Sequence, residues 1–404
     1  MRDWITCIGI GEDGLAGLGE RARAAIENAE VLVGGDRHLA MVPSSAAKRI
    51  VWGKDLEGTV ASLAGDKGRR VVVLASGDPL NHGVGVTLIR HFTREAVVVI
   101  PGASAFSLAA ARVGWALAES HCLSVHNHPV ASIGLHLRHA ARLLILSHDG
   151  STPGAVAELL AARGFGASRI AVFCHMGGAK EERFYGTAGR WAYERVADLN
   201  TVAVECIADP EARTWPRLAG LPEDAFIHDG QITKREVRAA TLAALAPLAG
   251  DVLWDVGAGS GAVAIEWLRA EPAAEAVAIE RSAARVDAIR KNADALGVPR
   301  LRVVTGAAPA VLSGLSPAPT ACFVGGGITE VGLLEACWNA LAPRGRMVAN
   351  GVTLEAHARL AAWRTEHGGD LVRISIARVE PLGDLTTLRP QLDVLQYTGR
   401  KTEG

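Results

Sequence analysis

The sequence predicts two α/β domains in series, and three observations carry that expectation. Short apolar runs rich in Val and Ile end in Gly, Pro or Ser, and helical periodicity follows each of them. That is the pattern of parallel strands buried on both faces by crossover helices. The pattern breaks once, where Asp209-Pro210, Trp215-Pro216 and Leu221-Pro222 fall in a stretch without apolar periodicity. It then resumes with a glycine loop, Asp255-Val256-Gly257-Ala258-Gly259-Ser260-Gly261, set between a strand-like and a helix-like run. A first domain is expected at 1–207, a linker at 208–222 and a second domain at 223–404, and a 404-residue chain has ample material for two cores.

In order, WITCIGIG, VLVGG, VVVLASGDP and AVVVIPGAS read as strands, with GLGERARAAIENAE as the first helix. RLLILSHDG leads into the helical PGAVAELLAARGF, and RIAVFCHMGG is a further strand. These runs predict a mainly parallel sheet in the first half, with ligand-facing loops at the carboxyl ends of its strands. Beyond the linker, KREVRAATLAAL is a helix, DVLWDV and AVAIERS are strands around the glycine loop, and LRVVTGAAP, ACFVGGG and GRMVANGV continue the sheet. RISIARVE and DVLQYTGRK are expected to close it as an antiparallel pair.

Composition narrows the function. The net charge is -1, with 42 basic against 43 acidic residues, so no strongly basic surface for nucleic acid is expected. The six cysteines are scattered without a C-x-x-C pair, and the thirteen histidines show no H-E-x-x-H spacing, so no metal site is expected. His121, His126, His128, His136 and His139 are read as surface or interface residues. The N-terminus lacks a basic segment followed by a long apolar stretch, and no run of about 18 apolar residues occurs. A cytoplasmic chain with no membrane partner is expected, as a homo-oligomer.

The glycine loop is the strongest motif. Its glycines permit a tight turn and close backbone approach to a ligand, and the following helix presents unpaired N–H groups. Glu280 ends the next strand, where a carboxylate accepts hydrogen bonds from ribose hydroxyls. Spacing alone leaves a dinucleotide open, because Gly257, Gly259 and Ala262 also satisfy G-x-G-x-x-A, and a purely structural turn stays open too. Asp255, two residues before the first glycine, favours S-adenosylmethionine: it would repel a pyrophosphate but suit the ammonium of an amino acid. Thr233-Lys234-Arg235-Glu236 also reads as a capping box, with Thr233 starting the helix. Arg235 and Arg238 are expected to be solvated helix residues or to bind a substrate carboxylate.

From Gly220 onward, ITKREVRA, LWDVGAGSG, AIERSAARVDAIRKNADALGV, VVTGAAP, FVGGG and VANGVTLE together resemble the decarboxylating precorrin methyltransferase domain. The resemblance implies a Rossmann-like, seven-stranded class I methyltransferase fold. S-adenosylmethionine would lie on Gly257, Gly259, Gly261 and Glu280, with Gly306 and Ala307 beside the adenine and the Thr233 segment closing over it. Lys234, Arg235, Asn350 and, less directly, Arg238 and His228 are its candidates for substrate handling.

The first half carries Gly- or Pro-rich loops after its strands: GIGEDGLAGL, the RHL after VLVGGD, Ser76-Gly77-Asp78-Pro79 and Pro101-Gly102-Ala103-Ser104. With PGAVAELLAARGF and GAKEERFYGT they resemble the tetrapyrrole methylase family, which implies a two-lobed domain with its own S-adenosylmethionine site. Asp78, Gly83, Ser104 and Ala105 would line that site, and the Gly9–Gly14 loop would face the macrocycle. This chain reads Glu12-Asp13-Gly14 where the family has a Pro-Gly-Asp-Pro type sequence. Without the resemblance, Asp78 is a turn residue leading into the next helix.

Taken together, the resemblances imply a fused enzyme with two S-adenosylmethionine sites, acting on a precorrin in cobalamin biosynthesis. It would methylate carbons 5 and 15 and remove the carboxyl of the C12 acetate, from precorrin-6B to precorrin-8X. An RNA base methyltransferase and a non-catalytic S-adenosylmethionine-binding protein are the competing readings, and balanced charge disfavours the first of them.

Overall fold

The computed structural model describes residues 3–53 and 55–402. The chain separates into two compact units, residues 1–130 with 136–213 and residues 131–135 with 214–404. No helix among the described residues is long and apolar enough to cross a membrane.

The first unit holds two five-stranded sheets. The first contains β1 (Ile5–Ile10), β2 (Val31–Gly34), β3 (Lys48–Val51), β4 (Val71–Ser76) and β5 (Val97–Ile100), in the order β3-β2-β4-β1-β5 with every pairing parallel. Alternation along the strands divides the core. Ile5, Cys7, Val71, Val73 and Val97 pack on one face, while Ile8, Ile10, Leu32, Val72 and Leu74 pack on the other.

The second sheet contains β6 (His121–Ser124), β7 (Arg142–Leu146), β8 (Arg169–Cys174), β9 (Glu182–Thr187) and β10 (Asn200–Glu205), in the order β6-β7-β10-β8-β9. Only β6 and β7 pair in parallel. The other pairings are antiparallel, so the expectation of a mainly parallel sheet holds for the first lobe and fails for the second. The cause is that β10 returns between β7 and β8, and β9 follows β8 without a crossover helix. A strand buried on both faces is apolar throughout whichever way its neighbour runs, so composition did not reveal the reversal.

The second unit is built on one seven-stranded sheet. Its members are β11 (Val252–Val256), β12 (Glu275–Glu280), β13 (Arg302–Thr305), β14 (Ala321–Val324), β15 (Arg346–Gly351), β16 (Asp370–Ile374) and β19 (Val394–Arg400), in the order β13-β12-β11-β14-β15-β19-β16. The five strands up to β15 are parallel, and β19 runs antiparallel to both of its neighbours. Strand order reverses at β11, which has β12 on one side and β14 on the other, so a crevice opens at the carboxyl ends of β11 and β14. The helix Ala262–Ala270 after the glycine loop is buried from Ala262 through Arg269.

Two sequence expectations change in this unit. The run read as one closing strand divides: residues through Ile374 pair with β19, while β17 (Ala377–Leu382) leaves the sheet to form a hairpin with β18 (Leu385–Pro390). The capping box is not formed either. The helix Arg235–Leu245 has Lys234 at its N-cap with no side-chain cap, and the Arg235 N–H donates to Glu223 Oε1 at 3.2 Å. Glu236, which would have closed the box, is drawn to Arg378 at 2.7 Å, and an ion pair outcompetes a reciprocal bond to the backbone.

Candidate active site

The glycine loop turns because three of its residues take left-handed backbone conformations, with φ of 73° at Gly257, 59° at Gly259 and 75° at Gly261. The Gly257 and Ala258 N–H groups both donate to Ile279 O at 3.0 Å, so the loop is laced to the end of β12. The Glu280 carboxylate holds its far side: Oε2 accepts from Gly259 N and Oε1 from Ser282 N, each at 2.9 Å. Gly306 N in turn donates to Glu280 O at 3.0 Å, which ties the end of β13 to that of β12.

These strand ends border a cavity of about 810 Å³, within the range of small-molecule sites. Of the residues picked out from the sequence, Thr233, Lys234, Gly257, Gly259, Glu280, Gly306, Ala307 and Asn350 line it. Gly261 does not line it but makes the turn possible, since a Cβ there would lie 2.9 Å from Ile289 Cγ2. The residues fit a nucleoside with an amino-acid tail. Glu280 has used one acceptor position on each oxygen and keeps the remainder, Gly259 leaves its face open, and Val256, Ile279 and Ala307 supply apolar walls.

Other candidates lie elsewhere. Asp255 is only 1 % exposed and does not line the cavity. It points beneath the helix, where Oδ2 accepts from Ala264 N at 3.0 Å and Oδ1 has no partner. Burial pushes its carboxyl up to about 7, against the Ala264 N–H and aided by the nearby Glu280 charge. Its place is therefore the foundation of the loop, behind the cavity lining. Arg235 is exposed on the helix surface and His228 is exposed, and neither lines the cavity.

Arg238 is neither solvated nor among the residues that line the cavity. It is fully buried against Glu266, with Nε to Oε1 at 2.8 Å, and donates further to Thr233 O and Leu221 O while lying over the Phe226 ring. Glu266 also accepts from Gly220 N at 2.7 Å and Leu221 N at 2.8 Å. This pair nails the incoming segment to the helix behind the glycine loop and so places the Thr233 edge of the cavity.

Sequence reasoning missed several residues that line the cavity, notably Arg281, Glu330, Ile376 and Leu392. Arg281 could have been found from its place directly after Glu280. Ile376 and Leu392 flank the β17–β18 hairpin, whose sequence carries no recognisable motif.

In the first unit the loops after β1, β4 and β5 meet through backbone. Gly102 N donates to Gly77 O and Gly77 N to Ile10 O, both at 3.1 Å, and a Cβ on Gly9 would fall 1.8 Å from Gly77 O. Asp78 makes a turn, its Oδ1 accepting from Leu80 N at 2.9 Å. Gly83 is the N-cap of the helix Val84–Phe92. Ser104 caps the helix Ala105–Val113 by accepting from Ser107 N at 3.1 Å, so Ala105 is its first residue. These residues thus lie in the loops at the carboxyl ends of β4 and β5.

The Glu12 loop, where this chain departs from the expected sequence, bridges the two lobes. One Glu12 oxygen is held by Arg37, and the other meets His175 Nδ1 at 2.9 Å. Burial acts to raise the Glu12 pKa, but His175 and Arg37 together hold it below its usual value. His38, pushed down to about 4 by burial and the Arg37 charge, contacts Ser76 Oγ at 3.0 Å. Among the described residues no group of three or more His, Cys, Asp or Glu is placed to hold a metal ion.

A seven-stranded sheet of this order, with a glycine turn after its first strand and a carboxylate closing the second, is the framework of a class I methyltransferase whose methyl donor is S-adenosylmethionine. Residues 224–401 match the family described as "Precorrin methyltransferase domain", and residues 5–192 match "Tetrapyrrole (Corrin/Porphyrin) Methylases". A Precorrin-6Y C(5,15)-methyltransferase [decarboxylating] from Sinorhizobium sp is 46% identical over 399 residues, covering 98% of this chain and 96% of the relative. A Cobalt-precorrin-7 C(5)-methyltransferase from Salmonella typhimurium is 33% identical over 162 residues, 40% of this chain and 80% of the relative. A "Probable cobalt-precorrin-6B C(15)-methyltransferase (decarboxylating)" from Pyrobaculum aerophilum is 34% identical over 186 residues, 44% of this chain and 94% of the relative. The chain belongs to the precorrin-6Y C(5,15)-methyltransferase (decarboxylating) family, enzymes of cobalamin biosynthesis.

Proposed function

We propose that the chain carries two S-adenosylmethionine sites, one per unit, and that the first unit methylates a precorrin at carbon 5. The second removes the carboxyl of the C12 acetate and methylates carbon 15, and the two units are separable domains joined through 208–222. The observation that carries this reading is the presence of two unlike sets of carboxyl-end loops, one in each unit. Relatives named for the C(5) and the decarboxylating C(15) reactions, each matching less than half of this chain, support the division.

Bound S-adenosylmethionine supplies an electrophilic methyl group on a sulfonium, and methyl transfer is an in-line displacement that gains mainly from alignment. In the second unit, Glu280 would accept the ribose hydroxyls and Gly259 would let the backbone approach the cofactor. Gly306 and Ala307 would flank the adenine, Thr233 would close the edge, and Lys234 would meet a substrate carboxylate. In the first unit, Asp78, Gly83, Ser104 and Ala105 would line the other cofactor site.

The test is mass spectrometry of the product formed by the full chain from S-adenosylmethionine and the precorrin, with two methyl groups gained and one carbon dioxide lost. A Cβ on Gly259 meets nothing nearer than Gln231 O at 3.5 Å, so Gly259→Val projects into the cavity rather than into the protein. That variant should give at most one added methyl and no loss of carbon dioxide, while Asp78→Ala should chiefly reduce the other methylation. Carbon dioxide release at the normal rate by folded Gly259→Val would move decarboxylation away from this site.

A further inference from the structure

A hydrogen-bonded triad lies beside the cavity of the second unit, assembled from three distant elements. Thr241 on the helix Arg235–Leu245 is fully buried, Gln396 on β19 is buried, and Asn350 on β15 is part-buried and lines the cavity. Thr241 Oγ1 donates to Val237 O at 2.8 Å, which spends its only proton. Its lone pairs then accept from Asn350 Nδ2 at 2.9 Å and Gln396 Nε2 at 3.1 Å. Gln396 Nε2 also donates to Asn350 Oδ1 at 2.9 Å.

The donor and acceptor inventory leaves one solution. The amide of Gln396 has two N–H groups, and both are used on the triad. The Thr241 oxygen is saturated. Asn350 therefore cannot flip: its Oδ1 must face Gln396 and its Nδ2 must face Thr241. One N–H of Asn350 remains, on a residue that borders the cavity, as a donor whose direction is set before any ligand arrives.

We propose that this N–H holds the acetate carboxylate that is lost as carbon dioxide, with Gln396 and Thr241 as positioning residues; the proposal rests on the second unit being the decarboxylating site. In the step, the bond between the acetate methylene and its carboxyl carbon breaks and its electron pair passes into the conjugated macrocycle. Carbon dioxide departs, the pair returns to the methylene to form a C–H bond with a proton from water, and the methyl group and hydroxide result. Negative charge thus leaves the carboxylate in the transition state. A cation fixed there would stabilise the ground state more than the transition state, whereas a neutral donor orients the group at lower cost to the rate. The cavity's cations suit the carboxylates that are retained. Lys234 and Arg281 have no acidic partner among the described residues, while Arg285 is already engaged by Asp229 and Gln231.

The experiment follows carbon dioxide release by the full chain with the precorrin and S-adenosylmethionine, alongside S-adenosylhomocysteine affinity. Asn350→Asp keeps the shape and replaces the donor by an anion, so release should fall by about 10 to 150-fold or more with cofactor affinity little changed. Thr241→Val should lower kcat for release with less effect on KM, and Thr241→Ser, which keeps the hydroxyl, should restore it. Release at the normal rate by Asn350→Asp, or equal rates for Thr241→Val and Thr241→Ser, overturns the proposal. Normal release by Gly259→Val would instead refute the placement of decarboxylation in this unit, so the two failures are distinguishable.

Discussion

Replacing Glu280 by glutamine changes a single atom and should weaken S-adenosylhomocysteine at the second unit by about 10 to 150-fold. In the free protein each carboxylate oxygen already accepts one backbone N–H, from Gly259 and from Ser282, both at 2.9 Å. A carboxylate offers about four lone-pair positions, so roughly two remain for the ribose hydroxyls. Hydrogen bonds to a charged acceptor contribute about 1.5–3 kcal/mol, and loss of one such contribution gives the stated range. Glutamine also turns its amide toward either Gly259 N or Ser282 N, donor against donor, at a further cost of about 1–3 kcal/mol to the unliganded fold. Calorimetric titration of the full chain with S-adenosylhomocysteine should therefore show binding weakened by that factor at the second unit, and the melting midpoint of the variant should fall. Binding indistinguishable from the unaltered chain, with the variant folded, would refute the assignment of Glu280 to the cofactor.

Two further predictions concern what holds the site in place. Asp255 has a carboxyl raised from 3.8 to about 7, so it favours folding fully only below pH ~4. As pH rises toward 7 the unfolded carboxyl ionises while the folded one stays protonated, and up to about 4 kcal/mol is lost progressively, with no further change above that range. Asp255→Asn should flatten the pH dependence of the second unit's unfolding midpoint between pH ~4 and ~7, and an unaltered slope would show that Asp255 is not its source. Glu266→Gln should destabilise the second unit by about 3–5 kcal/mol in urea unfolding, because it strands the buried Arg238 charge. The double change Glu266→Met with Arg238→Met should not recover that loss, because it also strands the Gly220 and Leu221 N–H groups that Glu266 accepts from, and a single-variant loss below about 1 kcal/mol would contradict the role given to the pair.

What could be read from the sequence was local. The glycine turn, the strand before it, the buried helix after it and Glu280 at the next strand end all lie between Val252 and Glu280. Glycine tolerates positive φ, and apolar period reports burial, so chain-local chemistry is enough to place them. The continuous apolar runs of the parallel strands, buried on both faces, were legible for the same reason. The antiparallel second lobe was not, since burial on both faces conceals strand direction.

Partnership at a distance lay beyond that reading. Arg235 and Arg238 look alike in the sequence, yet one is exposed and the other is sealed against Glu266, because the packing of Phe226 and the helix Ala262–Ala270 decides which face of their helix is covered. Thr233 and Glu236 spell a capping box, but Arg378, 142 residues further along the chain, claims the glutamate. Asn350 was nameable by resemblance alone, and its fixed amide depends on Thr241 and Gln396, 109 residues before it and 46 after it. The amino-acid sequence by itself determined the two α/β cores and the glycine-and-carboxylate cofactor framework, because periodicity and turn chemistry act between near neighbours. Only the tertiary structure decided which polar groups point at the cavity and which hold it together: a hydrogen bond or ion pair depends on directions and distances that arise once separate strands and helices pack.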